Sequence, residues 1–203
     1  MLRMSRMLER GTQAPDFSLP DTGGVLRTLA DVRGDKGLVV AFICNHCPFV
    51  LHLIDHFAAS ARDWQARGLG VVAISSNDTA EFPEDGADFM PAFARERGLS
   101  FPYLHDADQR AALAYEAICT PDFFLFDGDL KLFYAGQYDS SRPKIDRPPV
   151  PGLPPLRHDL PVTGEDLQRA VDALLAGEAP PTDQRPSAGC SIKWLPENEP
   201  SWA

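Results

Sequence analysis

The stretch from residue 38 to residue 50, LVVAFICNHCPFV, decides the fold of this chain. Residues 38–43 are apolar without a break and include β-branched side chains, which is typical of a strand buried on both faces. Apolar residues then recur from Val50 to Trp64 at the spacing of one helix face. The stretch therefore predicts a central strand that runs directly into a helix, with Cys44 and Cys47 at the junction.

The rest of the chain alternates between strand and helix patterns before a hairpin and a last helix. We predict short segments at 16–19 and 28–32, a strand at 69–74, a helix at 85–97, an extended piece at 101–104, a helix at 109–115, a hairpin of 123–126 and 130–134, and a helix at 165–175. Thr163 is expected to cap the last helix and Gly177 to end it. Parallel strands joined by crossovers and an antiparallel edge make an α/β fold with a mixed central sheet flanked by helices.

The 203 residues suit one domain with additions. We predict a domain over residues 11–178 that includes a proline-rich surface insertion at 141–161, followed by a tail at 179–203. Ile192 and Trp194 alternate in an apolar part of that tail. We therefore expect an extended C-terminal segment packed on the domain.

Composition narrows the functional class. The formal net charge is −10, from 29 acidic and 19 basic residues, so a nucleic-acid partner is not expected. No apolar run approaches the length of a bilayer span, so no membrane partner is expected, and residues 1–11 lack the apolar core of a secretory signal. We therefore expect a cytoplasmic protein. Four cysteines are too few for a disulfide scaffold, and a close pair favours redox or metal chemistry.

The pair Cys44 and Cys47 has the spacing of a redox dithiol. Cys44 follows a buried strand where a helix begins, and there the backbone N–H groups and the helix dipole stabilise a thiolate. The spacing lets the second thiol attack a mixed disulfide formed by the first. A protonated His46 between them would favour the reduced form and make the pair more oxidising.

A metal site is the alternative for such a pair. A structural zinc site needs four ligands, and no second C-x-x-C or H-x-H partner is present. His52 and His56 lie one helical turn apart, but the pattern places His52 towards solvent. The acidic run at 81–88 is expected to be a solvated face. We therefore expect no metal and no cofactor.

Four motifs resemble the peroxiredoxin-like branch (AhpC/TSA, redoxin) of the thioredoxin superfamily. They are GTQAPDFSLP at 11–20, FICNHCPFV at 42–50, CTPDFFLFD at 119–127 and GCSIKW at 189–194. The resemblance runs from about residue 11 to the end, apart from the proline-rich insertion. It implies a thioredoxin-like fold in which Pro121 follows a cis peptide bond and faces the dithiol, with Thr120 and Asn45 at the substrate.

Two enzymatic readings follow from this resemblance. Thiol–disulfide exchange needs a thiol of low pKa, a resolving thiol and a backbone edge, with Cys44 attacking and Cys47 resolving. A peroxidase of this kind uses Pro-x-x-x-Thr/Ser-x-x-Cys and a distant Arg. If Cys47 is aligned with that cysteine, Cys44 stands at the Thr/Ser position and Val40 at the Pro position, so the peroxide-binding set is incomplete and the roles of the thiols reverse.

A third reading is a redox sensor or metal-delivery protein without enzymatic activity. Copper-chaperone relatives of the fold use a wider C-x-x-x-C, from which this spacing departs. For an enzyme, the expected partners are a disulfide-containing protein or a small thiol or disulfide, with an unidentified reductant; the sequence leaves the oligomeric state open. Cys119 and Cys190 are candidate auxiliary thiols. Cys190 is either an extra exchange partner or a buried apolar anchor for the tail.

Overall fold

A mixed five-stranded sheet forms the centre of the computed structural model, which describes residues 1–145 and 158–202. Ten strands lie within the described residues, five of them in the central sheet and the others in two smaller sheets. They are β1 Leu2–Met4, β2 Ser18–Pro20, β3 Leu26–Thr28, β4 Gly37–Phe42, β5 Gly70–Ser75, β6 Tyr103–His105, β7 Cys119–Thr120, β8 Asp122–Asp127, β9 Leu132–Gly136 and β10 Ala188–Ser191. Five helices accompany them: α1 Leu29–Val32, α2 Pro48–Ala66, α3 Met90–Glu96, α4 Arg110–Ala114 and α5 Glu165–Ala176.

The strand order of the central sheet is β6-β5-β4-β8-β9. β4 pairs in parallel with β5 and antiparallel with β8, and β5 pairs in parallel with β6. The predicted parallel half and antiparallel hairpin are both present. Together with the flanking helices they form a thioredoxin-like α/β fold. No helix among the described residues is long and apolar enough to cross a membrane.

β4 lies at the middle of this sheet, and all six of its residues are buried. Successive side chains point to opposite faces, so one strand supplies two cores. Val39, Ala41 and Ile43 pack with α2 and α5 on one face. Leu38, Val40 and Phe42 pack with α1 and α4 on the other. A strand covered on both faces needs the uninterrupted apolar run that the sequence shows.

A second sheet joins the two ends of the chain. Its order is β1-β10-β7, with both pairings antiparallel. The sequence analysis predicts an extended tail but not β1, because residues 2–4 carry no alternating pattern. Gly189 permits the close approach of β10 to β7, since a Cβ there would stand 2.1 Å from the carbonyl oxygen of Thr120. The tail therefore packs directly over the strand that precedes Pro121.

The helix predicted over 85–97 is shorter than expected. A single 3-10 turn spans Pro83–Asp85, and α3 runs only over Met90–Glu96. Gly86 between them has an extended backbone (φ −80°, ψ 167°), which interrupts the helix. The expectation of a solvated acidic face at 81–88 is wrong at Asp85, which is fully buried.

Two further local predictions, at Thr163 and at His52, also need correction. The N-cap of α5 is Gly164 in a left-handed conformation, not Thr163, because Asp139 Oδ2 accepts hydrogen bonds from both backbone N–H groups there. The expected C-terminal Gly177 is confirmed. His52 is half-buried rather than solvent-facing, and its Nε2 lies 3.0 Å from Ser141 Oγ. Of the predicted insertion at 141–161, residues 146–157 lie outside the described residues.

Candidate active site

The dithiol lies at the carboxyl end of β4. The chain leaves β4 at Phe42, turns through Asn45 and His46, and enters α2 at Pro48. Cys47 is therefore the N-cap of α2, with φ −67° and ψ 121°. From the sequence we predict that the helix begins at Cys44, whereas in the structure Cys47 is the residue that caps the start of α2. Proline suits the first helical position, because its missing N–H has no partner within the helix.

Both sulfur atoms are buried and reduced, and both contact Thr120. Cys44 Sγ lies 3.5 Å from Thr120 Oγ1. The Cys47 thiol donates a hydrogen bond to the Thr120 carbonyl oxygen at 3.2 Å. The Thr120–Pro121 peptide bond is cis, as the family resemblance implies. The strand before Pro121 thus contacts both members of the dithiol.

The turn between the two cysteines is held by Asp85. Asp85 Oδ1 accepts the backbone N–H of Asn45 at 2.7 Å and that of His46 at 3.3 Å. Its Oδ2 accepts His46 Nδ1–H at 2.6 Å and the side-chain amide of Asn77 at 2.7 Å. Burial raises the pKa of Asp85, but hydrogen bonds from His46, Asn77 and Asn45 outweigh it and lower the pKa below the usual value. Asp85 is therefore ionised in its buried position.

His46 forms an ion pair with this carboxylate. The hydrogen bond to Asp85 raises the pKa of His46, and the charge of Cys47 adds to the increase, although burial opposes both. The imidazole also stacks on Phe82, with ring centroids 5.2 Å apart and an interplanar angle of 14°. The ring is thus fixed beside the dithiol, and its raised pKa favours the charged form.

Asn45 holds the turn through its side chain. Asn45 Nδ2 donates to the carbonyl oxygen of Glu84 at 2.7 Å, and Asn45 Oδ1 accepts the Tyr103 hydroxyl at 3.0 Å. These bonds tie the cysteine turn to the 3-10 turn and to β6. In this arrangement the amide that the sequence assigns to substrate binding is used within the protein.

The two thiols of the pair have opposite electrostatic environments. Burial raises the pKa of Cys44 well above its usual value, and the negative charges of Cys47 and Asp85 act in the same direction. Burial also disfavours a Cys47 thiolate, but Cys190, Cys44, the Thr120 side chain and the Val50 N–H together lower its pKa well below the usual value. The helix dipole at the N-cap favours the same charge. Cys47 is therefore the thiol that ionises first.

Comparison with known proteins is consistent with this geometry. Residues 10–135, more than half of the 203 residues, match the AhpC/TSA family. The chain belongs to the AhpC/TSA family.

Two curated relatives and one solved structure illustrate the similarity. "Putative peroxiredoxin Rv2521" of Mycobacterium tuberculosis strain H37Rv is 34% identical over 110 residues, which cover 54% of this chain and 65% of that protein. The thiol-disulfide oxidoreductase ResA of Bacillus subtilis strain 168 is 25% identical over 125 residues, which cover 62% of this chain and 65% of ResA. The match thus spans slightly less than two thirds of each curated relative.

The solved structure is similar along almost the whole length. It is that of an uncharacterized conserved protein from Geobacillus kaustophilus, with 45% identity and a TM-score of 0.88. The similarity covers 97% of this chain and 97% of that chain. Most of residues 136–203, which lie outside the AhpC/TSA match, are therefore covered by this similarity.

The remaining cysteines of this AhpC/TSA protein lie on either side of Thr120. Cys190 stands opposite Thr120 in the pairing of β10 with β7, and its side chain belongs to the same buried core cluster as Cys47. Cys119 is fully buried, and its Sγ lies 3.9 Å from the Pro121 carbonyl oxygen. Burial raises the pKa of Cys119 well above its usual value. Of the two candidate auxiliary thiols, the structure brings Cys190 into contact with the dithiol.

One group among the described residues could hold a metal ion. Ligand atoms of Cys44, His46 and Asp85 all lie within 4.8 Å of one another. The imidazole Nδ1 and the carboxylate Oδ2 are already bonded to each other at 2.6 Å, and the raised pKa of Cys44 disfavours the thiolate that a metal needs. The three groups thus fit a hydrogen-bonded arrangement better than a metal site.

The sequence alone does not assign Asp85 and Asn77 to this site, although both help to build it. Asp85 lies within an acidic run, and nothing in the sequence separates it from its exposed neighbours. Asn77 follows β5, and its Oδ1 also accepts the backbone N–H of Lys193 at 2.9 Å. Its position at the carboxyl end of a strand is the one available signal, since α/β folds place their sites there.

Proposed function

We propose that this chain is a thiol–disulfide oxidoreductase whose redox centre is the dithiol Cys44/Cys47. The observation that carries the proposal is the contact of both thiols with Thr120, on the strand that precedes Pro121: Cys47 Sγ lies 3.2 Å from the Thr120 carbonyl oxygen and Cys44 Sγ lies 3.5 Å from its hydroxyl. The thiol that must resolve a mixed disulfide is already next to the thiol that forms it. The family membership supports the same class of chemistry.

The proposed reaction has two exchange steps. The Cys47 thiolate attacks one sulfur of a substrate disulfide, forms a mixed disulfide and releases the first substrate thiolate, which takes up a proton. Cys44 then loses its proton and attacks Cys47 Sγ, which forms the Cys44–Cys47 disulfide and releases the second substrate thiol. The substrate gains two electrons and two protons, and an external dithiol reductant restores the enzyme.

The assignment of Cys47 as nucleophile replaces the one made from the sequence, where Cys44 attacks. The reason is electrostatic. Cys47 is the N-cap residue of α2, where the helix dipole favours a thiolate, while the negative charge of Asp85 helps to raise the pKa of Cys44. Cys44 is 1% exposed and Cys47 is not exposed. Such burial favours small disulfides, or a flexible segment of a protein, as substrates over a rigid protein surface.

The second candidate is peroxide reduction, which the lowered pKa of Cys47 at the N-cap favours. The Cys47 thiolate would attack a peroxide oxygen, releasing water or an alcohol and leaving a sulfenic acid, which Cys44 would convert into the disulfide with loss of water. Against it, Cys44 fills the position of the peroxide-binding hydroxyl. No arginine hydrogen-bonds either sulfur within residues 1–145 and 158–202.

The two candidates are separated by parallel assays. Reduction of insulin and of a small disulfide is measured beside consumption of hydrogen peroxide, with one reductant at one pH. We expect disulfide turnover to exceed peroxide turnover and Cys47→Ser to abolish the disulfide activity. A peroxide rate above the disulfide rate, lost in Cys47→Ser, would assign the protein as a peroxidase.

A metal-delivery role is tested on the same preparation. We expect no stoichiometric binding when the reduced protein is titrated with zinc, because His46 and Asp85 are bonded to each other. Stoichiometric binding that His46→Ala removes would support the non-enzymatic alternative.

A further inference from the structure

The pairing of β10 with β7 orients Cys190 towards the dithiol. Cys190 stands directly opposite Thr120, and Ser191 stands opposite Cys119. Residues directly opposite each other on neighbouring strands present their side chains on the same face. The Thr120 hydroxyl lies 3.5 Å from Cys44 Sγ, so this face is the one that looks onto the dithiol. Cys119, one residue earlier, belongs to the other face.

Cys190 packs beside Cys47. The two side chains belong to the same buried core cluster, and Cys190 lowers the pKa of Cys47. Thr120 explains this proximity, since its backbone accepts the Cys47 thiol while its strand neighbour is Cys190. Cys47 therefore has a thiol on two sides, Cys44 on its own turn and Cys190 on the C-terminal strand.

The position of Cys190 is fixed by backbone pairing. β10 lies between β7 and β1, with Leu2 opposite Cys190 on one side and Thr120 on the other. The N–H of Ile192 also donates to the Ile118 carbonyl oxygen at 2.9 Å. A strand paired on both sides holds its side chains in one place, so the contact with Cys47 is a property of the fold.

We propose that Cys190 is a second resolving residue, which competes with Cys44 for a mixed disulfide on Cys47. This inference rests on the proposed function. After Cys47 has formed a disulfide with a substrate thiol, the Cys190 thiol loses its proton and attacks Cys47 Sγ. The Cys47–Cys190 bond forms, the bond to the substrate breaks, and the substrate thiolate leaves and takes up the proton.

The Cys47–Cys190 disulfide is then converted by Cys44. The Cys44 thiolate attacks Cys47 Sγ and releases the Cys190 thiolate, with no net oxidation or reduction. In this scheme the oxidised enzyme is an equilibrium between two disulfides that share Cys47. The Cys47–Cys190 disulfide links β10 to the start of α2, whereas the Cys44–Cys47 disulfide leaves β10 unlinked.

The test counts the thiolates released from Ellman's disulfide by single-turnover absorbance. The Cys44→Ser variant is expected to release two equivalents of thionitrobenzoate, one on attack by Cys47 and one on resolution by Cys190. The Cys44→Ser/Cys190→Ser variant should release one equivalent and keep the mixed disulfide. The matched control Cys44→Ser/Cys119→Ser should still release two, because Cys119 lies on the other face of β7.

Mass-spectrometric mapping of the non-reduced products identifies the bond. A Cys47–Cys190 linkage in the Cys44→Ser variant supports the proposal. One equivalent together with a stable mixed disulfide on Cys47 in that variant would overturn it. Circular dichroism checks that each variant is folded.

Failure of the proposed function gives a different pattern. If wild-type protein releases no thionitrobenzoate, the exchange reaction itself is excluded at its first step. The unmutated protein is then oxidised with the thiol oxidant diamide and mapped, which also avoids any variant that fails to fold. A Cys47–Cys190 linkage beside Cys44–Cys47 supports the pairing of these thiols, and its complete absence overturns it.

Discussion

The two cysteines of the pair differ at the residue scale, although the C-x-x-C spacing treats them alike. Cys47 occupies a helix N-cap and its surroundings lower its pKa, while the nearby charge of Asp85 helps to raise the pKa of Cys44. A thiolate is the reactive form of cysteine, so the order of ionisation decides the order of reaction. Local charge and hydrogen bonding therefore assign the roles within the motif.

Brief treatment of the reduced protein with iodoacetamide at neutral pH is expected to alkylate Cys47 before Cys44, because Cys47 has the lower pKa. Peptide mapping by mass spectrometry measures the fraction labelled at each cysteine. Cys47→Ser should lose the fast phase, and Cys119→Ser should keep it. Preferential labelling of Cys44 would contradict the assignment and restore the one drawn from the sequence.

We predict that His46 tunes the redox potential of the dithiol through its charge. We expect His46→Ala to make the dithiol more reducing, because a cation that stabilises the thiolate is lost. A loss of about 1 kcal/mol would shift the potential by roughly 20 mV. A glutathione redox titration measures this shift. The difference between the two proteins should shrink as the pH rises through the raised pKa of His46, since the imidazole then loses its charge.

The matched control for this titration is His56→Ala. His56 lies on α2, the helix that follows the turn of His46, but its Nδ1 contacts the Tyr138 hydroxyl at 2.7 Å and not Asp85. Its removal should leave the potential unchanged. An unchanged potential in His46→Ala, or a shift towards oxidising values, would count against a tuning role.

At the scale of elements, β10 is the segment that completes the site. It places Cys190 against Cys47 and continues to Lys193, whose backbone contacts Asn77. The close approach depends on Gly189, because a Cβ would meet the carbonyl oxygen and carbon of Thr120 at 2.1 Å and 2.7 Å. These atoms belong to the backbone and cannot rotate away, so a side chain at this position must displace a strand.

Gly189→Ala is therefore expected to destabilise the protein by roughly 1–3 kcal/mol, the range for overpacking a well-packed site. Urea unfolding measures the change in the free energy of unfolding. Gly128→Ala is the control, because a Cβ there would meet only the Asp35 carbonyl oxygen and the Lys36 carbonyl carbon, at ordinary contact distances of 3.4 Å and 4.0 Å. Equal stabilities of Gly189→Ala and wild type would show that the strand is not held as closely as described.

At the scale of the whole molecule, the chain ends and the central sheet meet around Asp122. This residue opens β8 opposite Phe42 and is buried near Ser187 and Ser5. Burial raises the pKa of Asp122 to about 8, against the hydrogen bond from the Phe123 N–H to Oδ1, which lowers it. A neutral carboxyl group is therefore the form that the fold favours.

This raised pKa predicts a pH dependence of stability. A group whose pKa is higher in the folded protein stabilises it fully below the unfolded value of 3.8, and this stabilisation is lost as the pH rises through about 8. We expect Asp122→Asn to lose less stability than wild type between pH 5 and pH 8. Thermal unfolding across this range measures the effect. The exposed Asp88→Asn is the control, and parallel curves for Asp122→Asn and wild type would contradict the prediction.

A secondary-structure element can be predicted from the sequence when the residues that cause it lie close together along the chain. The run at 38–43 predicts β4 correctly, because a strand covered on both faces needs apolar side chains at every position. The hairpin is equally local, since β8 and β9 are joined by the turn at 127–129. The helix predicted over 85–97 is wrong at its start, because Asp85 bonds the backbone of Asn45 and His46, far along the chain.

The sequence by itself determined the strand–helix junction, the mixed sheet and the position of the dithiol, because these follow from periodicity and from spacing within a few residues. Only the tertiary structure decided which cysteine holds the helix N-cap, which acid pairs with His46 and which distant thiol contacts Cys47. Those three depend on long-range packing, and a hydrogen bond across 39 positions, such as that of His46 with Asp85, leaves no local pattern in the chain. The physical reason is that charge and hydrogen bonding act over a few ångströms in space, and the fold alone determines which residues lie that close.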